Sequence, residues 1–224
     1  MIDIKTNVAI IQQQIFQACK QSNRSVDEVA LLAVSKTKPI TLIEQAYQAG
    51  QYEFGESYVQ EAIDKINALT HLSKLTWHFI GPIQSNKAKL IATHFSWVHS
   101  VDRIKIAARL NQYSSAQDNP LNVCLQVNIS GEQSKSGVTI DELPALVDFI
   151  NKCENLTLRG LMAIPEKNSK KSSYIKMFQL FNQLKKEVQT IDTLSMGMSN
   201  DLVPAIANGS TMVRVGSAIF GQRE

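Results

Sequence analysis

Apolar positions along the chain switch repeatedly between two periods. Val8, Ile11, Ile15 and Cys19 recur at helical spacing in a Gln-rich surround, which predicts an amphipathic opening helix over about residues 5–22. Val29-Ala30-Leu31-Leu32-Ala33-Val34 is then a continuous apolar run, the pattern of a strand buried on both faces in a parallel sheet. It stops at Ser35-Lys36-Thr37-Lys38-Pro39. Thr41 with Glu44 reads as a capping box, Ile43, Ala46 and Tyr47 supply an inner face, and Gly50 stands where a helix end needs a left-handed residue.

The same unit recurs to the end of the chain. Residues 52–54 form a short strand candidate, after which Ser57 with Gln60 reads as the cap of a helix carrying Val59, Ile63 and Ile66. Further strands are expected at 76–80, around 97–99, and at 121–128, 156–162, 193–195 and 212–215. Between them lie helices starting near Ser85, at Asp102, and at a Thr139/Glu142 capping box followed by Leu143, Leu146, Val147 and Ile150. Another helix is set by Met177, Phe181, Leu184 and Val188. Eight strands alternating with helices predict an α/β fold, a single (β/α)8 TIM barrel over residues 1–224, with an open doubly wound sheet as the alternative this pattern also fits.

In a barrel the C-terminal strand ends converge on one mouth. Lys36 ends the first buried strand, so its stem is desolvated and its amine is a candidate nucleophile toward aldehydes; the plainer role is a lysine snorkelling to the rim. Lys38 competes, but Pro39 biases it toward the surface. Ser195-Met196-Gly197-Met198-Ser199-Asn200-Asp201 and Val215-Gly216-Ser217-Ala218 follow the last two strands, the loops that build the common barrel phosphate site. Ser199 is either a donor there or an N-cap; Pro204 suits a first turn, which moves the helix start toward Asp201. Arg214, if it faces inward, is a buried guanidinium that needs a partner, with a core carboxylate as the ordinary choice. His78 and His99 have no second metal ligand at fixed spacing and read as hydrogen-bonded core histidines.

Composition narrows the function. The 224 residues are 44% hydrophobic and 19% charged, which excludes disorder and fibres, and a net charge of +3 is too small for the footprint of a nucleic-acid binder. The three cysteines lack CxxC spacing and fit reduced thiols. No apolar stretch of signal-peptide or membrane-spanning length occurs, so a cytoplasmic protein without membrane association is expected. The Lys-rich stretch 166–173 reads as a solvated loop.

Several motifs in order resemble one family, the pyridoxal 5′-phosphate (PLP) homeostasis proteins. They are Leu32-Ala33-Val34-Ser35-Lys36-Thr37-Lys38-Pro39, Phe54-Gly55-Glu56-Ser57-Tyr58-Val59-Gln60-Glu61, Trp77-His78-Phe79-Ile80-Gly81-Pro82, Ser134-Lys135-Ser136-Gly137, Arg159-Gly160-Leu161-Met162, Ser195-Met196-Gly197-Met198-Ser199 and Val213-Arg214-Val215-Gly216-Ser217. The resemblance implies a barrel like the N-terminal domain of alanine racemase, with PLP as cofactor in a Schiff base on the lysine matching Lys36. It implies that Arg214 faces the pyridine nitrogen, and that Ser195, Ser199, Gly216 and Ser217 surround the phosphate. Ser57 stands where the family usually has Asn, a helix-capping position near the cofactor ring. The implied role is buffering or delivery of PLP without substantial turnover, in a monomer meeting apo PLP-dependent enzymes as transient partners. A PLP-dependent racemase is the alternative. Barrel racemases complete their site with a second, β-rich domain and a tyrosine opposite the lysine, whereas this chain runs only about eight residues past its last strand. Tyr58, the nearest tyrosine by motif, reads as a packing residue. A Schiff-base aldolase barrel is a third class, sharing a lysine and a phosphate site but not the motif series.

Overall fold

A computed structural model describes residues 3–130, 136–164 and 171–222. Lys135 and Ser134, and positions 166–170 of the Lys-rich stretch, lie outside the described residues. Eight parallel strands close into a barrel in chain order: β1 (Ala30–Val34), β2 (Glu53–Glu56), β3 (Thr76–Phe79), β4 (Trp97–Val101), β5 (Leu121–Gln126), β6 (Leu156–Met162), β7 (Thr193–Met198) and β8 (Met212–Val215). β8 pairs with β1, placing Leu32 beside Arg214 and Ala33 beside Val215. The open-sheet alternative is excluded by that closure.

Helices cover the outside, as continuous apolar strands require. They are α2 (Ile40–Gln48), α3 (Val59–Ala68), α4 (Ala88–His94), α5 (Ile104–Ser114), α6 (Leu143–Asn151), α7 (Lys171–Glu187), α8 (Leu202–Ala207) and the single turn α9 (Ser217–Phe220). The opening helix α1 (Ile4–Gln21) buries Val8, Ile11, Ile15 and Cys19, the stripe its periodicity predicts, and packs on α2, α8 and α9. Asn7 Nδ2 donates to the Ile219 carbonyl at 2.8 Å, and Arg24 Nη1 donates to the carbonyls of Ile206 and Ser210, both at 2.8 Å. These bonds fasten α1 and its exit over the α8–α9 side of the barrel.

Two expected caps are corrected. α2 starts at Ile40 after Pro39, so Thr41 lies inside the helix, and α3 starts at Val59 after Tyr58 with no side-chain cap, so Ser57 is not its N-cap. In both places the strand exit sets where the helix begins. The Thr139/Glu142 box does form, with Glu142 N–H donating to Thr139 Oγ1 and Thr139 N–H to Glu142 Oε2, both at 3.3 Å.

Register shifts shape the rim. Between Ser195 and Met198 β7 carries one more residue than the facing stretch of β8, a bulge at Gly197, whose φ of +94° and close approach to Ala205 suit glycine. The bulge re-aims the chain just before Ser199. At Gly160 φ is +155°, and a Cβ would collide with the Thr193 carbonyl oxygen across the β6–β7 pair. Gly160→Ala is therefore expected to lower unfolding free energy by about 4 kcal/mol or more, read by urea denaturation.

Candidate functional site

Period-two alternation splits β1 and its extension into two faces. Val34 and Lys36 line a cavity of about 900 Å³ at the C-terminal mouth of the barrel. Ser35 points the other way, fully buried under α3. There Lys65 Nζ makes three bonds: to the Ser35 carbonyl at 2.8 Å, to Glu56 Oε1 at 2.8 Å and to Glu61 Oε1 at 2.5 Å. Glu56 Oε1 also accepts from Ser35 Oγ at 2.6 Å, and Glu61 Oε1 accepts from the Thr37 N–H at 2.6 Å. One ammonium thus grips the chain on both sides of Lys36. The grip explains how Thr37, a β-branched residue, is kept at φ +63°, a conformation costing about 1–3 kcal/mol that persists only where neighbours over-determine it. Burial pushes the Glu56 carboxyl up, opposed by the Lys65 ammonium and the Ser35 hydroxyl.

The opposite wall comes from β7 and β8. Arg214 is 5% exposed and lies at the cavity floor. Its Nη1 donates to the Ser195 carbonyl and to Ser195 Oγ, both at 2.7 Å, and Nη2 donates to the Ala163 carbonyl at 2.8 Å. The expected core carboxylate is absent: no carboxylate among the described residues contacts this guanidinium. Desolvation pulls its pKa down to about 10, which still leaves it charged near neutral pH. Above it, Ser199 Oγ and Ser217 Oγ meet at 3.4 Å across the β7–α8 and β8–α9 loops. Gly216 lies against the Val34 carbonyl, where a Cβ would sit at 3.2 Å.

Of the residues singled out in the sequence, Lys36, Ser199, Arg214, Gly216 and Ser217 converge on this cavity. Ser57 and Ser195 do not line it. Ser57 packs its backbone on Gly81, where any Cβ would strike the Ser57 carbonyl. The Ser195 hydroxyl is fully buried between Arg214 and His99 and serves the floor. Lys38 lines the mouth but commits its Nζ to the Gln222 carbonyl at 2.7 Å. Tyr58 is 52% exposed, a surface residue and not the packing residue expected of it. His78 and His99 are core histidines, as read, joined to each other at 3.0 Å.

Three participants escaped the sequence reading. Tyr174 of α7 lines the cavity, and its hydroxyl donates to Asp201 Oδ2 at 2.6 Å. Asp201 Oδ1 in turn accepts from the Met198 N–H at 2.6 Å, steadying the loop that carries Ser199. Lys65 is the third. Its i,i+4 spacing from Glu61 was the one available signal, and in sequence that reads as a solvated helical pair. Among the described lining residues Lys36, Lys38, Lys171 and Arg214 face a single carboxylate, Asp201. Among the described residues the lining therefore carries more positive than negative charge.

The family profile of the alanine racemase N-terminal domain matches residues 10–224. The pyridoxal phosphate homeostasis proteins of Haemophilus influenzae and Escherichia coli K12 are 52% and 49% identical to this chain, covering 99% and 100% of it and 97% and 98% of those proteins. The structure of PipY of Synechococcus elongatus PCC7942 with PLP bound superposes with a TM-score of 0.84 at 34% identity, covering 97% of this chain and 100% of that one. Alanine racemase from Corynebacterium glutamicum gives a TM-score of 0.72 at 15% identity over 99% of this chain and 61% of that one, a likeness of fold alone.

Removing one partner of a buried ion pair leaves the other charge uncompensated, so Lys65→Met should cost about 3–5 kcal/mol in urea unfolding, with Glu56→Gln/Lys65→Met recovering part of it. Burial also holds His78 down to about 3 and His99 well below the usual histidine range. The unfolded chain takes up protons near pH 6.5 that the folded chain refuses, so their contribution is complete above that pH and lost as pH falls toward 3. The loss is about 1.4 kcal/mol per pH unit for each histidine. Burial-raised Glu53 and Glu56 titrate with the opposite sign. Glu53 faces His78, so the comparison carries Glu53→Gln in both proteins, with and without His78→Gln/His99→Gln, and the difference in urea midpoints across the acid range reads the histidines.

Proposed function

The chain belongs to the family of pyridoxal phosphate homeostasis proteins, and from that membership we propose that it holds PLP in the barrel-mouth cavity, with Lys36 as the attachment point, and stores or hands on the cofactor without turning over a substrate. The observation that carries this reading is the convergence on a single cavity of Lys36, of the buried Arg214 guanidinium, which no carboxylate among the described residues contacts, and of a pair of hydroxyls. That donor set fits PLP, an anionic aldehyde with a phosphate and a ring nitrogen. Bound there, PLP supplies an aldehyde for reversible exchange with amines.

Each residue has a task set by its own chemistry. Lys36 presents an amine on a backbone held from outside by Lys65. Val34, Ile80 and Met162 give an apolar lining for a flat ring. Ser199 and Ser217 supply neutral donors from two adjacent loops, and Gly216, without a Cβ, lets the second of these pass close to the Val34 carbonyl. Arg214 only donates, so beside a ring nitrogen it leaves that atom unprotonated, which blunts the electron withdrawal that PLP enzymes exploit. Tyr174, the phenol on the cavity wall, has its hydroxyl directed to Asp201. Inversion at carbon needs an acid/base on the face opposite the lysine, and that phenol is engaged elsewhere.

Borohydride reduction of PLP-loaded protein, followed by peptide mapping, should fix a pyridoxyl group on Lys36, and Lys36→Ala should lose the visible absorption band. Labelling mainly at Lys38, with the band intact in Lys36→Ala, would overturn the assignment. Ser199→Ala/Ser217→Ala should weaken PLP retention at least about tenfold, since each donor to a charged phosphate contributes on the order of 1.5–3 kcal/mol. Incubation with L- and D-alanine should show no racemisation approaching about 1 s⁻¹, and a rate in that range would replace storage with catalysis.

A further inference from the structure

The barrel interior holds polar groups that the cavity does not use. From Arg214 they run in one line toward the opposite end: Arg214 Nη1 to Ser195 Oγ at 2.7 Å, Ser195 Oγ to His99 Nδ1 at 3.1 Å, His99 Nε2 to His78 Nδ1 at 3.0 Å. His78 Nε2 then faces Glu53 Oε2 at 3.6 Å. Glu53 opens β2, so this last carboxylate sits at the N-terminal end of the barrel. Both histidines and Ser195 are fully buried.

The direction of every hydrogen follows by elimination. A guanidinium only donates, so Ser195 Oγ accepts from Arg214. The hydroxyl hydrogen then needs its own acceptor, and His99 Nδ1 is the other group bonded to Oγ among the described residues. His99 Nδ1 therefore carries no proton, and Nε2 does. That N–H points at His78 Nδ1, which must be bare, so His78 carries its proton on Nε2, toward Glu53. Among the described residues His78 Nε2 and Glu53 Oε2 have no hydrogen-bond partner, and this longest link is the outlet that faces both. Protonating His99 on Nδ1 instead would aim two donors at Oγ and strand the hydroxyl hydrogen in an apolar interior, a cost of about 1–3 kcal/mol. Burial, which holds both rings neutral, agrees with a single proton on each.

We infer that His99 and His78 are positioning residues for Arg214: through Ser195 they hold a lone pair on the guanidinium, with Glu53 closing the line at the far end of the barrel. If the Ser195 hydroxyl turned away, Arg214 would lose the one side-chain acceptor it has among the described residues, and its orientation in the cavity floor would loosen. The functional half of the inference rests on the cavity's reading as a PLP site, whereas the proton pattern does not.

The test has two arms. In the full chain without PLP, ¹⁵N-histidine spectra near neutral pH, assigned by single substitutions, should show His99 and His78 both protonated on Nε2 and bare on Nδ1. A proton on His99 Nδ1 overturns the inference. In the second arm, PLP affinity is compared for His99→Asn, which keeps an acceptor near the Nδ1 position, and His99→Leu, which fills the volume without one. Positioning expects His99→Asn to stay within about threefold of wild type and His99→Leu to weaken binding about tenfold. A packing role expects the reverse order, because leucine suits a core better than an amide, and that order overturns the inference. Should wild type itself take up no PLP, the cofactor reading falls and the spectra alone judge the proton pattern. Should His99→Leu fail to fold, the spectra again decide.

Discussion

A guanidinium enclosed in a barrel has to find acceptors, and the arrangement around β7 and β8 follows from where Arg214 finds them. Stripping water from a cation is expensive, and the usual compensation is a carboxylate in contact. Here the acceptors are two carbonyls and one hydroxyl, from Ser195 on β7 and from Ala163 just past the end of β6. They take three hydrogen bonds from the guanidinium without neutralising the charge. Arg214 keeps its charge at the cavity floor, and among the described lining residues three lysines share its sign while Asp201 opposes it.

The lysine that meets this field is held from the other side of the barrel wall. Strand alternation sends Val34 and Lys36 inward and Ser35 outward, so the backbone of one short segment can be gripped outside while its side chain works inside. Glu56, Lys65 and Glu61 provide the grip. Buried ion pairs add little net stability compared with apolar packing, but they impose geometry, and geometry is what a single reactive amine needs. The interior line through His99 and the exterior network through Lys65 thus steady the two sides of one cavity.

Much of this was legible in the chain. Eight apolar runs separated by amphipathic stretches announced the barrel, and strand-end position marked Lys36, Ser199, Arg214, Gly216 and Ser217, all of which reach the mouth. Other signals misled. The T-x-x-E and S-x-x-Q patterns at Thr41 and Ser57 lie next to strand exits whose paths impose their own helix starts, whereas the same pattern at Thr139, in a surface turn, closes as written. Ser195 shares a motif with Ser199, yet a bulge at Gly197 separates them, one feeding the floor and the other the cavity.

The sequence by itself determined most of the elements and the alternating α/β class, because periodicity and composition act over a few neighbouring residues, whereas closure into a barrel came from the β8–β1 pairing. Only the tertiary structure decided the partners. His99 reaches Ser195 across 96 positions of chain, Arg214 reaches Ala163 across 51, and Lys65 turns from a surface lysine into a buried clamp by meeting Ser35 30 positions away. Whether a polar group is solvated, satisfied or left charged depends on what closes over it. In a barrel that is settled by ring closure and register, which place strands distant in sequence side by side.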